Sequence, residues 1–392
     1  MSLTLPDGAL QGAQADAAPS AALGRLASEL GRSLRSHSLF ILVGALHVAA
    51  AYAASRMLGD AALPFDLDLY GDAFAIVTAA ALVILAIGYL VRVTLVIRPA
   101  HPVQYMWRET RARYMTAERI FAALPVFALI PLVMAAYSYL KSMIPVVAPF
   151  SWDASLAEWD RVLHGGRHPW ESLQVLIGHP YLTFAVNIAY NCWYFVLLGV
   201  AFWQTFAVAD PRLCMRYLMT LLTIWIVIGN VLAALLASGG PAYYGRLAGL
   251  PDPFAPLLSY LRATDEILPI WAVRTQDYLW DIYAHGRFGF GSGISAMPSV
   301  HVATSFSFAL VGFAAGRRLG AAFALFAVLI LIGSVHLGWH YAIDGYAAIL
   351  LTWLIWMGWG RLLDRPLVEQ MLWGSAARSR VAASAAASRS QS

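Results

Sequence analysis

The chain has 392 residues, of which 60% are apolar and 12% charged. Soluble domains are about 45–50% apolar and about 25% charged. This balance excludes an ordinary soluble enzyme, a disordered chain and a nucleic-acid binder. At roughly 20 apolar residues per crossing there is material for about eight membrane spans, in an all-α polytopic bundle. The two cysteines, Cys192 and Cys214, lie in or beside apolar runs and supply neither a disulfide framework nor a metal site. Every basic residue except Lys141 is arginine, which together with the heavy use of alanine suggests a GC-rich, bacterial genome.

Residues 1–37 read as a retained tail. They are rich in Ala, Ser and Gly and lack the basic start, apolar core and cleavage site of a signal peptide. Spans then read at about 39–58, 74–97, 120–139, 182–206 and 217–236. After a long mixed segment come three closely spaced ones, 298–316, 319–338 and 341–360. The Arg- and Ser-rich segment 361–392 reads as a second, partly disordered tail.

Eight spans put both tails on one side. Eighteen of the 26 Lys and Arg residues fall on that side and eight on the other, while eight of the 22 acidic residues fall there and 14 across. The net charge of +4 therefore divides into +10 and −6. By the positive-inside rule the tails are expected in the cytoplasm. Two long segments, 141–181 and 237–297, then face outward. Both are rich in Trp, Tyr, Pro and Gly, and are expected to form short helices at the membrane surface, either as a structural cap or as a lid over a site that admits lipid.

Ionisable residues at membrane depth are costly and are functional candidates by default. The last three spans hold a cluster of them. Pro298-Ser299-Val300-His301 opens the sixth span, His336 closes the seventh, and His340-Tyr341-Ala342-Ile343-Asp344 opens the eighth. The alternation of spans places His301, His336, His340 and Asp344 at the outer ends of neighbouring helices. Pro298 suits a first helical turn, where its missing N–H costs nothing. The glycine-rich turn 291–295 before it, with the helix start, offers backbone N–H groups to an anion. Two histidines, a carboxylate at i+4 and an amide-lined pocket make a coherent phosphoryl-transfer site. One imidazole attacks phosphorus, the carboxylate fixes its tautomer, and the other imidazole protonates the leaving oxygen.

These residues resemble the type 2 phosphatidic acid phosphatase superfamily of membrane lipid phosphatases and phosphotransferases. That resemblance implies a six-helix core with Pro-Ser-x-His at its fourth helix and His-x3-Asp at its sixth. It makes His340 the nucleophile, Asp344 its orienting partner and His301 the general acid. It also divides the chain into a tail (1–37), two extra spans with an Arg-rich loop (38–118), a catalytic core (119–360) and a second tail (361–392). The Lys-x6-Arg-Pro motif of the superfamily is absent from the outer segments. The Arg-Pro pairs, Arg98-Pro99 and Arg365-Pro366, fall on the side of the tails, and Ser334 stands where an arginine precedes the nucleophile. In these departures the chain is similar to the aureobasidin-resistance branch, which includes inositol phosphorylceramide synthases. His340-Tyr341-x-x-Asp344 and the stretch Gly240-Pro241-Ala242-Tyr243-Tyr244 match that branch.

Phosphate still needs positive charge. Arg287 and Arg246 are the leading ligands on the outer side, since arginine grips phosphate bidentately, with Arg262 and Arg274 behind them. Ser299, Tyr243, Tyr244 and His336 complete the expected substrate site, His336 tuning or shielding the nucleophile. Asn187 and Asn191 suit helix-to-helix hydrogen bonds. Asp153, Trp159 and Asp160 suit a solvated amphipathic segment, or alternatively a headgroup contact. No cofactor and no metal is expected. The reading is a membrane phosphotransferase that moves a phosphoryl-headgroup unit from a phospholipid or prenyl-phosphate donor to an alcohol, or to water in a hydrolase. Its chemistry is expected at the outer face of a bacterial inner membrane. A transporter or structural subunit is the alternative of another class.

Overall fold

The computed structural model describes residues 19–59, 63–113, 115–207, 210–248 and 251–374. The outer parts of both predicted tails, 1–18 and 375–392, lie outside the described residues. The described residues are helical without strands. Seven helical segments are long and apolar enough to cross a membrane. They are α2 (Ser38–Met57), α3 (Gly71–Arg92, continued by a π-helical turn to Ile97), α5 (Ala117–Ser142), the pair α8 (Pro180–Asn191) and α9 (Trp193–Phe206), α10 (Pro211–Thr223, continued by π-helical turns to Leu232), α14 (Arg317–His336) and α15 (Ala342–Leu363). The remaining expected span is α13, Val300–Ala315, with 16 residues. At 1.5 Å per residue it is about 24 Å long, short of the roughly 30 Å hydrocarbon core.

The segment read as the first tail carries α1 (Pro19–Ser36), which packs on α5 and on α16 (Pro366–Trp373). Arg35 donates to the carbonyls of Gln370 and Met371 at 2.8 and 2.7 Å, and Arg212 pairs with Glu369. The two ends of the described chain therefore pack against each other. A further helix, α4 (Pro102–Arg113), belongs to the Arg-rich connection.

Helix α13 is the centre of the bundle. It packs on α9, α10, α14 and α15. Its buried Ala303, Thr304, Ser305 and Ser307 are small, so neighbouring backbones can approach closely, which is how helices pack where lipid offers no hydrophobic drive between them. In contrast, α3 leaves Leu82, Ile84, Leu85 and Ile87 more than half exposed, a face suited to lipid.

The two long segments 141–181 and 237–297 hold short helices: α6 (Asp153–Leu163) and α7 (Pro169–Ile177) in the first, α11 (Ala255–Asp265) and α12 (Trp271–Ala284) in the second. Two boundaries differ from the sequence reading. Helix α5 continues through Ser142, so Lys141 sits in the last turn of a spanning helix instead of opening a loop. Helix α13 begins at Val300, not Pro298. Ser299 is its N-cap and accepts from the amide of Val302 at 3.4 Å, which leaves Pro298 ahead of the cap.

At the far end of the α13–α14 hairpin, Gly312 and Gly320 let the helices touch. A Cβ on Gly312 would lie 3.0 Å from the Gly320 Cα and 2.8 Å from the Phe323 ring. Gly312→Leu should therefore destabilise the purified protein by about 1–3 kcal/mol, read as a lower melting temperature in detergent. An unchanged melting temperature would contradict this packing.

Candidate active site

His340 lies in the turn between α14 and α15. Its amide, and that of Trp339, donate to the carbonyl of Ser334 at 3.0 and 2.9 Å. The position where the family carries an arginine thus serves here through its backbone, and the Ser334 hydroxyl turns back to the Leu331 carbonyl. The His340 ring is 7% exposed, and its Nδ1 is 3.3 Å from Oδ2 of the fully buried Asp344. The same Oδ2 accepts the amide of Tyr341 at 3.0 Å, a first-turn side chain reaching back to the N-cap. Asp344 therefore fixes Nδ1 as the side that faces a carboxylate and leaves Nε2 as the nitrogen available for attack.

Facing this pair is His301, in the first turn of α13. The two rings are 6.4 Å apart between centroids. The His301 imidazole stacks on Tyr190 at 5.1 Å and lies 4.2 Å from Trp193. These aromatic residues flank the break between α8 and α9 at Cys192, and Trp193 is held by a 2.8 Å bond to the Thr304 hydroxyl. The helix starts of α13 and α15 are joined directly: the amide of Ser299 donates to the Asp344 carbonyl at 3.2 Å. The amides of Val300 and His301 have no hydrogen-bond partner among the described residues.

Lys141, in the last turn of α5, lies against the glycine-rich turn that leads into α13. Its backbone is wedged against Gly293, where an added Cβ would meet the Lys141 side chain and carbonyl carbon at 2.8 and 2.9 Å. The next residue, Ser142, hydrogen-bonds Ser292 at 2.8 Å. The glycine-rich turn expected to help bind an anion is thereby laid against the last turn of α5. The Lys141 side chain makes no ion pair and no hydrogen bond among the described residues, and it was not singled out as a ligand in the sequence. Its signal was present: it is the only lysine, and it interrupts an otherwise apolar run.

The other expected ligands are engaged elsewhere. Arg287 pairs with Asp281, and the Arg246 guanidinium lies 4.7 Å over the Trp280 ring. Arg262 is in a bidentate pair with Asp277 and Arg274 is 3.5 Å from Asp265. None of the four hydrogen-bonds or ion-pairs with the His301, His340 and Asp344 group. Tyr243 donates to the Gln276 carbonyl at 3.0 Å and stacks on Trp280, so it fastens α12. Tyr244 packs with Phe254 and Tyr341. The Ser299 hydroxyl is used as a helix cap. His336 is fully buried, with Nε2 2.9 Å from the Thr183 hydroxyl, which in turn meets Tyr260 at 2.8 Å. It braces α14 against α8 and α11 without bonding to His340. Asn187 accepts from the amide of Ala272 at 3.2 Å, tying α8 to the start of α12, and Asn191 bonds back to Asn187.

Asp153 and Asp160, expected on a solvated segment, are instead each 2% exposed. Asp160 accepts from the amides of Ala342 and Ile343, and Asp153 from those of Gly239 and Gly240. Burial pushes both carboxyls above their ordinary range, and these N–H donors pull them back.

A family model of the PAP2 superfamily matches residues 154–358, which include His301, His340 and Asp344. The chain belongs to the PAP2 superfamily, and so to membrane proteins with lipid phosphatase or phosphotransferase activity. No curated protein and no solved structure matches it.

The arrangement generates one direct expectation. Asp344→Asn keeps the shape of the residue but cannot stabilise a charged imidazole. It should lower turnover by roughly 10²–10⁴-fold without changing the melting temperature. Wild-type turnover in this variant would contradict the pairing of His340 with Asp344.

Proposed function

We propose that this protein is a phosphotransferase that moves a phosphoryl-headgroup unit from a phospholipid or prenyl-phosphate donor to an alcohol. The observation that carries the reading is the His340–Asp344 pair facing His301 across 6.4 Å, with Lys141 at the end of α5 packed against the turn that leads into α13. His340 Nε2 attacks phosphorus, forming a P–N bond as the P–O bond to the lipid breaks. Protonated His301 gives its proton to the departing oxygen. Asp344 holds Nδ1–H and balances the imidazolium. In the second half, neutral His301 takes the proton of the acceptor hydroxyl, whose oxygen attacks phosphorus and releases His340.

Lys141 supplies the charge for phosphate, in place of Arg287 and Arg246. A cation at the end of a spanning helix with no counter-ion among the described residues is stabilised by an anion, and a phosphate between the histidines would supply one. The free amides of Val300 and His301 add donors at a helix N-terminus, where an anion is favoured. The distribution of Lys and Arg supports cytoplasmic tails and an outward-facing site.

Acceptor choice separates transferase from hydrolase. Purified protein given donor labelled in the headgroup phosphate should yield a labelled alcohol ester when polyols are supplied. Release of free headgroup phosphate alone, whatever alcohol is offered, would replace this reading by a hydrolase. Lys141→Met should lower kcat/KM for an anionic donor roughly 10–100-fold, while Lys141→Arg retains part of it. Equal kcat/KM in wild type and Lys141→Met would remove Lys141 from the site.

A further inference from the structure

The first turn of α15 is held from outside its own helix. Asp160, on the surface helix α6, accepts from the amides of Ala342 and Ile343 at 3.0 and 3.1 Å. A helix start leaves its first amides without intrahelical partners, and these two are satisfied by a carboxylate 182 and 183 residues away in sequence. Two helical turns earlier on α6, Asp153 accepts from the Tyr341 hydroxyl at 2.8 Å and from the amides of Gly239 and Gly240, both at 2.8 Å. Gly240, at φ +85°, is pressed against the Trp339 carbonyl, where a Cβ would come within 2.6 Å. The amide of Ala242 donates to the Gly338 carbonyl at 2.9 Å. The residues on either side of His340 are thus tied into one ring, through Tyr341 to α6 and through Trp339 to the Gly239–Gly240 turn.

We propose that α6 is a strap that sets the position of the His340–Asp344 pair, with Asp160 as its positioning residue. The proposal rests on His340 being the nucleophile. Asp160 does not touch substrate. It fixes the start of α15, and with it the angle at which His340 presents Nε2 to His301. It also occupies the anion-binding end of that helix, so the phosphate is left to Lys141 and the start of α13. His164 Nδ1 is 3.7 Å from the Asp160 carboxylate, and Arg161, the next residue on α6, pairs with Glu158.

The test uses full-length protein in detergent and the variants Asp160→Asn, Asp160→Glu and His340→Ala. Amide exchange over residues 338–346 should rise about tenfold or more in Asp160→Asn, with exchange in the other spans unchanged. Turnover per site, counted by covalent labelling of His340, should fall roughly 10²-fold with KM little changed, the loss expected for a small misplacement of a reacting group. Asp160→Glu, which keeps the charge at a different reach, should fall between the two and covers the case in which Asp160→Asn does not fold. Unchanged exchange would overturn the strap. Faster exchange with wild-type turnover per site would reduce it to a structural cap, and a rise in KM with kcat intact would make Asp160 a substrate contact; both outcomes overturn the positioning role. His340→Ala reports separately on the parent reading: turnover retained there overturns the nucleophile, whatever the exchange shows.

Discussion

A helix that starts inside a membrane protein has amides to satisfy where water is scarce, and the start of α15 is where this chain meets that constraint. Three of those amides, of Tyr341, Ala342 and Ile343, are taken by the carboxylates of Asp344 and Asp160. Negative charge at a helix N-terminus is favourable, so the arrangement stabilises the helix and the buried carboxylates together. One of them, Asp344, also meets His340. The orientation of the imidazole is in this way coupled to the integrity of the helix start, and the outer segment carrying Asp160 becomes part of the site's framework.

The same economy explains where the remaining charge lies. With α15 already capped by carboxylates, an anionic substrate needs another electropositive surface. The start of α13 has amides without a partner among the described residues, and in the proposed site the Lys141 side chain joins them from the end of α5. Tyr190 and Trp193 flank the His301 ring and shield it, which strengthens electrostatic contacts within the site. The proposed site thus draws on four helix ends: α5, the α8–α9 break, α13 and α15.

Much of this was legible in the sequence. Apolar runs marked the spans, and alternation of direction brought His301, His340 and Asp344 to one end. The i+4 spacing placed Asp344 a turn after His340. What escaped depended on distant partners. Lys141 looked like the end of a span because a charge closes an apolar run, and only the structure shows that α5 continues through Ser142 and packs against Gly293. Asp153 and Asp160 fit an amphipathic surface helix, yet their partners are 86 to 188 residues away. Arg287 and Arg246 looked suited to phosphate because a single sequence does not reveal that Asp281 and Trp280 engage them. Pro298 suited a first turn, but Ser299 is the better cap and moves the helix start two residues on.

The central claim is that His340 carries the transferred group. The most direct measurement is rapid acid-free quenching of the enzyme with donor labelled at phosphorus, followed by peptide mapping of the bound label. The account predicts an acid-labile, base-stable label on His340 that forms at least as fast as turnover and discharges when acceptor is added. Label on another residue, or product formed with no covalent label at quench times shorter than one turnover, would contradict it.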